Sequence, residues 1–392
     1  MKHTILFLFV LIFYSCNFTE TTDSSLTLLS IDEAKENDNT FLQRIELVPL
    51  ETTDSILMSS YKSFQYIPEL DSYLISDNSR IVYLFDSKGN HISNSLHCKG
   101  EGPGQYYTIT NALYNPYKNQ IELFNSNNRG ELFCYDLRFN YLNTEKLNHD
   151  ERFTAGIAQL ISLDKYLLEP THTTENSNYF ISKTLNGSEE RHSFPNNYVA
   201  GLNMQQSLLF KTQTSIFYTP RYLDFHFYQM DTLSGTLKPI YKIDIGNDED
   251  IAEYLTERFG KGDSDNPRRA VSNVNIIMKK VDYLLSSSFY LPIIRLINDH
   301  YIYVHLIRKK KPLHYIYNRK NKESFFLTES ASIPLSRCYQ QKENALMSII
   351  DAYELNKYIN EETIKYMSET EIEKMKSIKE DDNPIIIKYI LK

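Results

Sequence analysis

YLISDNSRIVYLFDSKGNHI, residues 73–92, reads as three short strands separated by two turns. Apolar and aromatic residues fill the strand positions, and Asp-Asn-Ser and Ser-Lys-Gly-Asn supply the turns. Residues 121–142, IELFNSNNRGELFCYDLRFNYL, repeat the pattern, so that Phe85-Asp86 and Tyr135-Asp136 stand 50 residues apart. A third unit follows at 159–185. A fourth covers 209–243, with Asp231 at the matching place, 95 residues beyond Asp136, or two periods. A fifth covers 293–327. Sheet units recurring every ~40–50 residues predict a propeller, because no such unit buries both of its faces alone. The expected fold is all-β: a six-bladed β-propeller over residues 41–392, with short helical insertions on one rim. An open ring leaves edge strands unpaired. The strand near 45–50 is therefore expected to join the same blade as the last strand, Pro384 to Leu391.

Composition agrees. The 392 residues hold 50 Asp+Glu against 42 Lys+Arg, a net charge of −8, with 30 Tyr, 21 Phe and no Trp. Hydrophobic content of 41% excludes a fully disordered chain, and the charge excludes a polytopic membrane protein. The acidic balance, with no long basic block, argues against nucleic-acid binding.

The N-terminus reads as an address. Lys2 and His3 precede the apolar run Ile5 to Phe13, then Tyr14-Ser15-Cys16. A spanning helix needs about 20 apolar residues, so this is a signal peptide, expected over 1–15. A small residue followed by Cys is the pattern of a bacterial lipoprotein signal, with Cys16 as the lipidated residue. Acyl chains there would hold the protein to a membrane. Residues 16–40 are polar and read as a flexible tether. Expected location is the bacterial cell envelope, lipid-anchored at the outer membrane. Cys98, Cys134 and Cys338 form no metal-binding spacing and read as buried free thiols, although Cys98 and Cys134 could pair.

Two stretches break the period, at about 249–285 and 345–380. In the first, Ile251, Tyr254, Leu255 and Phe259 share a helical face. In the second, Leu346, Ile349 and Ile350 begin a series of short apolar helical stripes.

Residues 77–90, DNSRIVYLFDSKGN, match the NHL-type blade core, and 99–106, KGEGPGQY, match the loop that precedes it. LVPLETTD (47–54), YQMDTLSGTLKPIYKIDIG (228–246) and DDNPIIIKYILK (381–392) resemble the rest of a narrower group. That group is the six-bladed β-propeller lipoproteins of Bacteroidetes, broadly NHL-like or TolB-like. The resemblance implies a six-bladed fold and an envelope location, and no established activity. It also implies that Asp77 and Arg80 tie one hairpin to its neighbour.

Gly100, Gly102 and Gly104 surround Pro103. A phosphate loop needs a helix after its glycines. Here Tyr106-Tyr107 leads into a strand, so a tight structural turn is expected. The histidines, among them His172, His226, His300, His305 and His314, show no metal-ligand spacing; no metal and no cofactor are expected. Arg308-Lys309-Lys310-Lys311 reads as a solvated hairpin tip. Tyr218, Arg221, Tyr222, Asp224 and His226 form the segment richest in polar and aromatic groups. There Arg221 offers a planar fork, Tyr222 a stacking face, and Asp224 and His226 complete the candidate ligand site. The alternative is that Arg221 pairs with Asp224 and Tyr222 packs between blades. The expected function is a monomeric, non-enzymatic binding module for an envelope protein or glycan. A metal-dependent hydrolase or lyase, or a purely structural scaffold, are the alternatives.

Overall fold

The computed structural model describes residues 26–125, 131–146, 155–170, 178–184, 189–194, 208–220, 224–231, 236–245, 251–259 and 270–392. It is an all-β propeller with a few helices. Five sheets are each built on four consecutive strands, and a further sheet joins the two ends of the described chain. Sheet 1 comprises Tyr61–Ile67, Ser72–Asp77, Val82–Asp86 and His91–Asn94. Sheet 2 comprises Ile109–Asn115, Gln120–Asn125, Glu131–Tyr135 and Tyr141–Lys146. Sheet 3 runs from Ala155–Ser162 to Glu189–Phe194, sheet 4 from Leu209–Lys211 to Leu237–Asp244, and sheet 5 from Leu291–Ile297 to Ser324–Leu327. Sheet 6 orders Cys338–Lys342, Ala345–Ile350, Ile385–Leu391 and Leu42–Pro49.

Sheet 6 closes the fold as the terminal patterns require. Leu42–Pro49 pairs antiparallel with Ile385–Leu391, from Leu42 opposite Leu391 to Pro49 opposite Ile385. Ile385, Ile386, Ile387 and Leu391 are fully buried, so the last strand is a core element of the sheet.

Apolar clusters fill the spaces between sheets. Leu74, Val82 and Leu84 of sheet 1 meet Ile121, Leu123 and Tyr135 of sheet 2. Phe217 and Phe227 of sheet 4 meet Ile302, Val304 and Leu306 of sheet 5. The largest cluster runs through sheets 5, 6 and 1. Polar ties accompany them. The Gln159 side-chain oxygen of sheet 3 accepts from the amides of Leu208 and Leu209 at the start of sheet 4, at 2.8 and 2.7 Å.

Repeated turns arise from repeated residues. Asp86 Oδ1 accepts from the Lys88 and Asn90 amides, and Asp136 Oδ1 accepts from the Arg138 and Asn140 amides. Burial acts to raise both carboxyl pKa values, but these bonds and the Asn90 and Asn140 side chains outweigh it and lower them. Gly89 takes the left-handed position of the first turn, at φ 90°, and Phe139 takes it in the second, at φ 60°.

Two sequence readings are corrected. The segment up to residue 40 is not tether throughout. Thr27–Ser30 adds to sheet 4 in parallel with Tyr241 to Asp244, and Lys35–Glu36 adds to sheet 5 beside Phe325 and Phe326. These edge additions satisfy backbone groups that the outer strands would otherwise present to solvent. Secondly, Leu346, Ile349 and Ile350 lie on a strand, Ala345–Ile350, buried on both faces; such a run carries no period that separates helix from strand. Helical structure in that region is confined to a 3-10 segment, Ala352–Lys357, and the helices Glu361–Ile364 and Glu369–Ser377. Cys98, Cys134 and Cys338 are free and buried, as the sequence reading has them, and the alternative pairing of Cys98 with Cys134 does not occur.

The helix Glu369–Ser377 is capped by Ser368 and docks on sheet 6, where Glu371 Oε2 accepts from the Leu47 amide at 2.6 Å. The helix Ala270–Ser286, preceded by Ile251–Phe259, lies between sheets 4 and 5 in sequence. The carbonyls of Leu285 and Ser287 at its end accept from the amides of Lys310 and Lys309. That places the Arg308–Lys311 turn against the helix end, with Arg308 over the Tyr290 ring and Lys310 paired with Asp282.

Within each sheet neighbouring strands are antiparallel, apart from the two added edge strands. The first strands meet one another across sheets: Cys338–Lys342 touches both Leu291–Ile297 and Tyr61–Ile67, and Ile109–Asn115 touches Ala155–Ser162. Antiparallel order puts the start of each first strand, the link from second to third strand, and the connection between sheets at one common end. We call it the upper end. The insertion after Ile350 and the helix Ala270–Ser286 both belong to it.

A candidate binding site at the upper end of the first strands

Tyr61 opens the first strand of sheet 1, and Arg337 and Tyr339 flank the start of the first strand of sheet 6. The residues share one neighbourhood. Tyr61 and Tyr339 share a side-chain hydrogen bond, and the Arg337 guanidinium acts electrostatically on Tyr61. Arg337 Nη1 reaches the Tyr339 hydroxyl at 3.5 Å, a weak contact. Tyr358, at the end of the 3-10 segment, also feels Arg337. Behind them, in sheet 5, lie His305 and His314, with ring centroids 4.9 Å apart.

Each group's charge state follows from its surroundings. Burial first, then neighbouring acidic groups, raises the Tyr61 phenol far above its ordinary value, so it stays neutral. Burial likewise raises Tyr358. His305 is pushed well below the ordinary histidine value by burial, then by His314 and Arg337. His314 falls to about 3 through burial and the Arg337 charge. Its Nδ1 shares a hydrogen bond with the Tyr303 hydroxyl at 2.9 Å, and a hydrogen bond with the Leu313 backbone partly offsets the fall at His305. Asp351, beside Tyr61, is raised by burial and accepts from the Tyr353 hydroxyl.

Arg337 therefore carries the positive charge of this neighbourhood, and its Nε is buried without an acceptor. Among the described residues, no carboxylate lies within 4.0 Å of it. The same holds for Lys62 and Arg80 on sheet 1. The Lys62 pKa is lowered by burial and then by the Arg80 charge. Arg80, at φ 65°, donates from Nη1 to the Ile109 carbonyl at 3.1 Å, tying the second turn of sheet 1 to the first strand of sheet 2. Asp77 Oδ1 accepts from the Ile81 amide on its own turn, and Oδ2 accepts from the Ser59 amide ahead of the first strand at 3.3 Å.

Of the segment singled out in the sequence, Arg221 and Tyr222 lie outside the described residues. Asp224 and His226 come together. Asp224 Oδ1 pairs with His226 Nδ1 at 2.7 Å, and Oδ2 accepts from the Tyr228 hydroxyl at 2.7 Å. Burial acts to raise Asp224, but the bonds from His226 and Tyr228 lower it on balance. Arg295 of sheet 5, only 2% exposed, donates to the backbone carbonyls of Asp224, His226 and Pro220. It pins this connection of sheet 4 to the first strand of sheet 5. Burial lowers its pKa to about 10, with Asp224 opposing, so it remains charged.

The glycine loop is a joint. Gly100 and Gly104 have φ of 152° and 70°. The Gly102 amide donates to Gln105 Oε1, and the Gly104 carbonyl accepts from the Tyr135 hydroxyl of sheet 2 at 2.8 Å. A Cβ on Gly104 would sit 2.4 Å from the Tyr141 ring. No helix follows Pro103; Ile109–Asn115 is a strand.

Among the described residues, one group of ligand-type atoms occurs, on sheet 2 facing Tyr166 of sheet 3. Glu122, Cys134 and Glu145 offer atoms within 4.8 Å of one another. The donors already present oppose a cation. Glu122 accepts from Asn115 (2.7 Å), Gln120 (2.8 Å) and Tyr166 (2.9 Å), and Lys118 holds Glu145 at 2.9 Å. Burial raises Cys134 to about 12, the wrong direction for a thiolate ligand. Sequence reasoning singled out His305 and His314 but missed Arg337; the only local signal is an arginine immediately before a strand.

Comparison with known proteins fits this architecture. Residues 26–389 match the family described as a domain of unknown function, DUF4934, and the chain belongs to that family. No curated protein matches. Among solved structures, the chain is similar to a "Putative exported protein" from Bacteroides fragilis NCTC 9343. The TM-score is 0.67 and the identity 16%, over 93% of this chain and 100% of that one. At that identity the likeness concerns the fold. A luciferin-regenerating enzyme gives a TM-score of 0.42 at 7% identity, over 88% of this chain and 94% of that one.

Proposed function

We propose that this member of the DUF4934 family is an exported, lipid-anchored propeller of six blades that works as a non-enzymatic binding module of the cell envelope. Its ligand docks at the upper end. The observation behind this reading is the set of unpaired cations there: Arg337, Lys62 and Arg80. An unpaired, partly buried guanidinium is costly to a fold, and a site for an anionic group gives that cost a use.

Export is supported by the signal pattern ending at Cys16 and by the likeness to an exported protein. Lipidation at Cys16 and residence at the outer membrane are part of the same proposal. On this reading the five sheets of four consecutive strands are five blades, and sheet 6, shared by the two ends of the described chain, is counted as the sixth. A metal-dependent hydrolase or lyase draws no support from the Glu122 cluster, whose carboxylate is already met by donors. The test is a pull-down from native envelope with the lipidated protein and with Arg337→Gln. Enrichment of a component by the parent protein supports the module. A parent that enriches nothing over an unrelated lipidated bait refutes it.

A further inference from the structure

We infer that the upper-end neighbourhood of Arg337 is a site for the carboxylate of an acidic saccharide, with Arg337 as the anion fork and Tyr61, Tyr339 and Tyr358 as the surrounding faces. This rests on the binding-module reading and names the chemistry of its ligand.

The first argument is the missing counter-charge. Arg337 has no carboxylate partner among the described residues, and its Nε is buried without an acceptor. Nearby groups do not supply the negative charge. The phenols of Tyr61 and Tyr358 are held neutral by burial, and His305 and His314 are neutral as well. A planar guanidinium beside an unfilled acceptor position matches a carboxylate in two parallel bonds.

The second argument fixes the charge of the ligand. Asp351 lies beside Tyr61, and the Asp351 carboxyl is itself penalised by burial. A dianion such as phosphate would face that acid with only one fork to hold it. A single carboxylate is matched by one guanidinium. Lys62 and Arg80 stand on the neighbouring sheet, where they favour an anionic ligand without crowding the fork.

The third argument concerns what bears the carboxylate. Three tyrosines surround Arg337, and Tyr353, 58% exposed, stands on the 3-10 segment and donates to Asp351. Tyrosine offers a flat apolar face and a hydroxyl together. Sugars present the complement: a C–H face, hydroxyls and, in uronic acids, one carboxylate per ring. An acidic peptide would bring several mobile carboxylates toward Asp351 and Glu354, and gains less from the rings.

The experiment is calorimetric titration of the folded, unlipidated mature protein. The probes are tetragalacturonate, a neutral galacto-oligosaccharide, inorganic sulfate and a short glutamate-rich peptide. Tetragalacturonate is expected to bind, and the neutral sugar to bind at least tenfold more weakly. Arg337→Gln should weaken tetragalacturonate about 10- to 100-fold with an unchanged melting temperature. Arg337→Lys, which keeps the charge and loses the fork, should fall between. Should Arg337→Gln prove unstable, Tyr358→Ala in the insertion serves in its place and should weaken binding as well. Failure of tetragalacturonate to bind overturns the inference, as do equal binding by Arg337→Gln, stronger binding of the neutral sugar, of sulfate or of the peptide. If Arg337→Gln still enriches the same envelope component as the parent protein, the module stands and this site falls.

Discussion

Glu122 lies fully buried between sheets 2 and 3, and replacing it separates the worth of its hydrogen bonds from the cost of its charge. The carboxylate accepts from Asn115, Gln120 and Tyr166, at 2.7, 2.8 and 2.9 Å. Asn115 and Tyr166 are fully buried too, and Gln120 is 6% exposed. Burial raises the Glu122 pKa, and the three bonds oppose this without cancelling it. In Glu122→Leu, three buried donors lose their acceptor. At roughly 1–3 kcal/mol each, less what relaxation recovers, the loss should be about 3–5 kcal/mol. Glutamine mimics the protonated acid: its oxygen keeps Asn115 and Gln120, and its amide donates to the Tyr166 hydroxyl. Glu122→Gln should thus lie within about 1 kcal/mol of the parent near neutral pH. A raised carboxyl pKa makes the native state hold its proton longer than the unfolded chain. Parent stability therefore drops as pH rises from the unfolded value, about 4.3, through the higher native value. The glutamine variant has no such drop. Urea unfolding followed by far-UV circular dichroism at pH 5 and pH 8 measures both effects, and the chain's lack of Trp makes dichroism the suitable signal. The buried histidines titrate in both proteins and cancel in the difference. A parent–glutamine difference that does not change with pH, or a leucine variant as stable as the glutamine one, would refute this reasoning.

Other perturbations follow from the same structure. Gly104→Ala should cost about 1–3 kcal/mol, because φ is 70° and the new Cβ meets the Tyr141 ring. Gly102→Ala meets only the Gln105 side chain and should cost less than about 1 kcal/mol, so equal melting temperatures for the two would discount the joint. Deleting Ile385 to Lys392 removes a buried strand of sheet 6 and leaves Leu42–Pro49 and Ala345–Ile350 without their common partner. The truncated protein should aggregate, and light scattering that shows a stable monomer would contradict the closure argument. Cys16→Ala should leave unprocessed or soluble protein; mature protein still sedimenting with membranes would rule out the lipid anchor.

The repeat was legible because its turns are chemical. An Asp followed four residues later by Asn recurs at Asp86 and Asp136, and each pair closes its hairpin with the same bonds. The closure by both chain ends was legible because Ile45 to Leu50 and Ile385 to Leu391 are apolar runs with no other partner in the period. The segment 27–36 was misread because its pairing spans only four and two residues, and so short a strand leaves no alternation to read. Asp224 and His226 were found as polar neighbours in sequence, but their bond uses the carboxylate that a ligand site would need. Arg337 could not be found by pattern at all. What marks it is a buried Nε without an acceptor among three tyrosines, and that becomes visible only when sheets 1, 5 and 6 are brought together.

An anion site on a chain of net charge −8 calls for an account of range. At physiological ionic strength the screening length is about 8 Å, so most of the 50 acidic residues act on a docked ligand hardly at all. What decides attraction there is the local count: Arg337, Lys62 and Arg80 without close carboxylates, against an Asp351 whose ionisation burial already disfavours. The histidines could have added charge on acidification, but His314 holds no proton until about pH 3. The histidines therefore add no charge to the site near neutral pH. Selectivity then rests on geometry, through one fork among tyrosine faces, rather than on a broad electrostatic field. That favours a ligand that offers one carboxylate to the fork and a flat body to the rings over an anion held by charge density alone, which a basic surface would have drawn in regardless of shape.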